Sequence, residues 1–93
     1  MLSKIPIDIS KINPEDVDKE ILRAALIAEL DAINLYEEMA ALANNKGIKK
    51  VLLDVAKEEK EHVGEFQTLL LMFDKEQMKS FEEGREEVEK FNK

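Results

Sequence analysis

From Asn13 onward the apolar positions of this chain recur at a helical period. Leu22, Leu26, Ile33, Tyr36 and Ala40 are spaced by three, four and seven, which puts them on one face of an α-helix. One position interrupts that stripe, and it is Glu29. A second stripe reads Ile48, Leu52, Val55, then Glu59 and His62, then Phe66, Leu69 and Phe73. Asp54, Glu58, Glu61 and Glu65 fall largely on other faces and read as solvated surface.

Punctuation between the stripes predicts three helices. Asn13-Pro14-Glu15-Asp16 combines an N-cap residue, a proline at the first helical position and acids in the first turn. A helix is expected over 14–45, stopped at Gly47 in a left-handed C′ conformation. A second helix is expected over 48–73. Asp74-Lys75-Glu76-Gln77 resembles a capping box opening a third helix over 75–90, which Gly84 weakens. Residues 1–12 carry Ile5, Ile7, Ile9, Ile12 and a proline without a helical period, and read as an extended arm. The reading is all-α: one domain over 1–93, an antiparallel two-helix hairpin plus a short C-terminal helix.

Buried carboxylates are costly unless neutralised, paired or metal-bound, and no lysine or arginine lies on either stripe near Glu29 or Glu59. A lone histidine on an apolar face is ordinarily a satisfied core residue. His62, the only histidine, follows Glu59 by three, so one carboxylate and one imidazole share a side of the helix. With Glu29 at matching depth on the facing helix, the three together point to a metal site. Carboxylates with one imidazole and no thiolate suit iron or manganese, with zinc possible. A di-iron carboxylate bundle takes one Glu from each of two helices and a Glu-x-x-His from each of two others. This chain supplies half of that, and a two-fold homodimer completes it as a four-helix bundle. The four carboxylates of such a pair would balance two Fe²⁺ ions in charge.

Composition narrows the alternatives. The chain has 93 residues, 44% hydrophobic and 38% charged, with a net charge of -7. That balance disfavours nucleic acid and anionic membrane as partners. With no cysteine there is no disulfide, Fe–S cluster or thiolate zinc site. The apolar runs are too short to span a bilayer and the N-terminus lacks a signal-peptide apolar region, so a cytoplasmic protein is expected.

Ala28-Glu29-Leu30-Asp31-Ala32-Ile33-Asn34-Leu35-Tyr36, followed by Leu52-Leu53-Asp54-Val55-Ala56-Lys57-Glu58-Glu59-Lys60-Glu61-His62, resembles the encapsulated ferritins, especially archaeal members fused ahead of an encapsulin shell protein. The resemblance implies a ferritin-like ferroxidase that binds iron, two ions per dimer interface, and assembles as a decamer, a pentamer of dimers. It implies that the protein lies within an encapsulin nanocompartment and serves iron mineralisation and storage there. Glu29, Glu59 and His62 fall on the family's di-iron ligands and Tyr36 on its tyrosine beside the centre. Asp31 falls on one of the acids through which the family takes up metal; Ala28 replaces the other. The sequence closes Glu89-Lys90-Phe91-Asn92-Lys93 without the docking peptide of free-standing members, which implies a shell fusion or another means of capture. Two other classes stay open: a rubrerythrin-like di-iron or di-manganese oxidoreductase, against which the absence of cysteine counts, and a structural hairpin with an incidental metal site.

Overall fold

The structure is a computed structural model that describes Ser10 and residues 13–92. The arm expected over 1–12 lies outside those residues apart from Ser10. A 3₁₀ turn, Pro14–Asp16, leads into α1 (Val17–Leu42), α2 (Lys46–Phe73) and α3 (Lys75–Phe91). There is no strand among the described residues, and no helix there is long and apolar enough to cross a membrane.

The helix ends differ from the sequence expectation for local reasons. Asp16 donates its N–H to Asn13 O at 2.9 Å, so Pro14 opens a tight turn and α1 begins only at Val17. The Asn13 side chain makes no capping bond. At the other end the chain leaves the helix at Ala43, with ψ 136, and not at residue 45. Asn45 belongs to the next helix: its Oδ1 accepts from Ile48 N at 3.0 Å, an N-cap. Gly47 is therefore a residue of the first turn of α2, and no described residue has positive φ. The left-handed stop expected at Gly47 is not formed. A Cβ there would come within 3.1 Å of Asn45 Oδ1, so the glycine clears room for the cap.

Asp74 is the single residue between α2 and α3, and it is buried. Its Oδ1 accepts from Gln77 N at 3.0 Å and its Oδ2 from Arg23 Nη2 at 2.8 Å. Its own N–H goes to Leu70 O at 2.9 Å, so only one half of the expected capping box is made. The Gln77 amide, then Arg23 and Lys19, hold the Asp74 carboxyl below the ordinary carboxylate range against the opposing effect of burial. One carboxylate thus starts α3 and ties it to α1.

α1 and α2 pack along their lengths as an antiparallel hairpin. Leu22, Ala40, Ala56 and Leu70 are its buried apolar residues. The alanines let the helices approach closely, and the leucines close the end where α3 departs. Lys60 reaches Glu37 across the hairpin at 3.1 Å, an exposed pair of small energetic weight. The stripe on α2 is wider than one neighbouring helix covers. Val51, Leu69 and Phe73 stand 62%, 40% and 59% exposed on the side of α2 that carries His62. α3 does not pack on α1, and its Met78, Phe81, Val88 and Phe91 are exposed.

Candidate metal centre

Helical spacing brings Glu59 and His62 together on α2, and the antiparallel pairing brings Glu29 of α1 opposite them. One potential ligand atom from each of the three lies within 4.8 Å of the others. His62 Nδ1 is 3.4 Å from Glu59 Oε2 and 3.4 Å from Glu29 Oε2. Two donors held about 2.0–2.1 Å from one tetrahedral ion lie about 3.4 Å apart, so these separations suit a shared cation.

The hydrogen-bond accounting points the same way. The imidazole contact with Glu59 has hydrogen-bond geometry, whereas Glu29 Oε2 is buried and accepts no hydrogen bond. One ring nitrogen cannot serve both carboxylates with a single proton. No lysine or arginine forms an ion pair with Glu29 or Glu59 among the described residues. Two facing carboxylates with an orphaned oxygen between them are what a divalent cation satisfies.

The triad is also open on one side. Glu29 and Glu59 side chains are 20% and 18% exposed, but His62, at the edge of the seam, is 45% exposed. Val55, Leu69 and Phe73 lie about two to three turns to either side of His62 on that face of α2. On α1, Ala25, Ala32 and Tyr36 share the side of Glu29 at spacings of four, three and seven. An apolar surface with three ligands at its middle has room for a second helical layer over it.

The other residues singled out in the sequence stand apart from the triad. Tyr36 is half-buried two turns along from Glu29 and is not in the ligand cluster. Asp31 is outside the cluster too, yet its Oδ2 is buried without a hydrogen bond. Asp54, Glu58, Glu61 and Glu65 are exposed. Sequence reasoning missed Arg23 and Asp74, whose ion pair orients α3. Asp74 was visible as a cap, but no local signal announced its partner on another helix.

A model of the rubrerythrin family matches residues 20–93. The ferritin-like–encapsulin shell fusion protein of Pyrococcus furiosus is 53% identical over 90 residues, 95% of this chain and 26% of its own length. The encapsulin nanocompartment cargo protein EncC of Myxococcus xanthus is 39% identical over 70 residues, 75% of this chain and 52% of its own length. The chain therefore spans about a quarter and about half of these two relatives. The crystal structure of an encapsulated ferritin domain from Pyrococcus furiosus superposes with a TM-score of 0.80 at 49% identity, covering 94% of each chain.

Proposed function

Because this chain belongs to the rubrerythrin family and, within it, to the encapsulated ferritin domains, we propose that it is a ferroxidase whose substrate, Fe²⁺, is bound by Glu29, Glu59 and His62. The observation that carries the reading is the orphaned Glu29 oxygen facing His62 across the seam, in a cluster open on one side. Three ligands are too few for two ions, and the uncovered apolar side around them supports completion by a second copy. Two hairpins facing each other form a four-helix bundle with six ligands around a pair of irons.

Each residue then has a role. The Glu29 and Glu59 carboxylates neutralise the bound ferrous ions and stabilise the higher charge of the ferric product. The imidazole of His62 binds as the neutral form and fixes the position of each ion. Apolar walls built from Val55, Phe66 and Leu69 limit water around the pair. Dioxygen from solution is the electron acceptor: it takes one electron from each of two Fe²⁺ and two protons from solvent, leaving two Fe³⁺ and hydrogen peroxide. In this reading Tyr36, on the same side of α1 as Glu29, orients a ligand of the centre by hydrogen bonding, and Asp31 serves as an entry acid for incoming cations. The dimers assemble further into a decamer, and the relatives' names support an encapsulin shell as the compartment that stores the product.

Anaerobic titration with Fe²⁺ under sedimentation, followed by admission of O₂, tests this. The expected results are iron-dependent association and a rate of ferric formation that Glu59→Ala and His62→Ala each reduce at least about a hundredfold. Wild-type oxidation rates in those variants would overturn the assignment.

A further inference from the structure

We propose that α3 is a strap poised to fold back along α2 of its own chain, held off it by the Arg23–Asp74 pair. In the extended form α3 leaves the hairpin with its apolar side bare: Phe81, Val88 and Phe91 are 37%, 57% and 82% exposed. Gln77, Phe81, Gly84, Val88 and Phe91 follow one another at spacings of four and three, so they make one side of the helix. Phe81, Gly84 and Val88 line an open groove of about 470 Å³ there, with Arg85 and Glu89 at its edge.

Antiparallel helices joined at a corner bring residues equally far from it face to face. Counted from Asp74, the apolar side of α3 mirrors Leu71, Gln67, Gly64, Lys60 and Lys57 of α2. Gly64 and Gly84 each lie ten residues from Asp74, and nothing lies within 4 Å of a Cβ built on either. Glycine inside a helix costs stability, but two facing glycines let backbones approach closely. The Lys60–Glu37 and Arg23–Asp74 pairs fix the hairpin register and set Leu30, 53% exposed, level with Gln67. Phe81, which mirrors Gln67, then packs against Leu30 and Leu71.

The bordering charges agree with this register. Helical phase puts Glu87 beside Lys60 on the border nearer α1, and Arg85 beside Glu61 on the other. Lys60 and Arg85 give up only exposed pairs of small weight. The metal face of α2 is no alternative for the strap. Its mirror positions would set Glu89 and Glu86 against Glu59 and His62, adding carboxylates where Glu29 and Glu59 already face each other.

One linking residue is too few for two helices to reverse, since helical hairpins use about two to five. Unwinding Phe73 and Lys75 gives three and keeps Asp74 at the centre. That step disturbs Asp74, whose Oδ1 caps Gln77 and whose Oδ2 accepts from Arg23. The pair that orients α3 is therefore also what keeps the strap out. With 17 residues, about 25 Å, α3 reaches back to the level of Lys57 and leaves the metal face bare. The closure thus does not rest on the proposed ferroxidase.

The chain has no cysteine, so spin labels on Glu58→Cys and Lys90→Cys report a single intramolecular distance, read by double electron–electron resonance in chelator. Both sites lie sixteen residues from Asp74. In the closed form their helix axes are about 10 Å apart. In the extended form each stands about 24 Å from the corner on diverging helices. Arg23→Gln, and Asp74→Ser, which keeps a capping hydroxyl, should each raise the ratio of short to long distances at least about tenfold. Adding Gly84→Leu fills empty space in the extended form, so helical circular dichroism should persist while that gain is lost. Excess unlabelled chain should leave the short distance unchanged. A short distance that vanished on that dilution would report contact between copies and would overturn the proposal, as would unchanged long distances in both Arg23→Gln and Asp74→Ser.

Discussion

His62 Nδ1 and Glu29 Oε2 face each other at 3.4 Å across the hairpin seam, with the carboxylate oxygen buried and lacking a hydrogen bond. That oxygen needs a cation more than it needs the imidazole. Glu29→Gln keeps the size and removes the charge. Without metal the variant should melt no lower than wild type, since the repulsion between Glu29 and Glu59 is gone. Adding Zn²⁺ at about 100 times its dissociation constant should stabilise wild type by about 2.7 kcal/mol and the variant far less. Thermal denaturation with and without metal checks both parts.

Leu70 is one of the few large side chains buried in the single chain. Leu70→Ala should cost about 2–4 kcal/mol, because the cavity lies between two helices that can collapse only partly. Leu53→Ala, on the exposed flank, should change the unfolding free energy of the isolated chain by less than about 0.5 kcal/mol. Denaturant titrations of the two variants measure the contrast.

Asp74 supplies a pH dependence whose sign follows from its partners. Gln77 N–H and Arg23 hold its folded-state pKa below the ordinary value of 3.8. Its contribution to stability is therefore fully present above about pH 4 and is lost as pH falls through the lower folded value. Asp74→Asn should lower the melting temperature at neutral pH and flatten its fall in acid. Melting curves across that range show whether the wild-type and variant profiles converge at low pH.

Gly47→Ala distinguishes a helical glycine from a left-handed one. In the first turn of α2, alanine gains helix propensity but presses on the Asn45 cap from 3.1 Å. The two effects oppose each other, and the net change should stay below about 1 kcal/mol. A left-handed Gly47 would lose more than that on gaining a Cβ. Equilibrium unfolding of the variant gives the answer directly.

The sequence by itself determined that the chain is helical, that it turns back near residue 45, and which three side chains could bind a metal. It could do so because helical periodicity is local, and Glu29, Glu59 and His62 interrupt apolar stripes where a charge has no local reason to be. Tertiary structure decided the rest. Asn45 is equally a residue after one helix and a cap before the next, and only the Ile48 N–H selects between them. The Arg23–Asp74 pair joins residues far apart in the chain, which no periodicity reports. The width of the α2 stripe also has no meaning until α1 is in place to show how much of it one neighbour covers. What α1 leaves bare, around His62 on one side and Leu53 on the other, is where the structure turns outward.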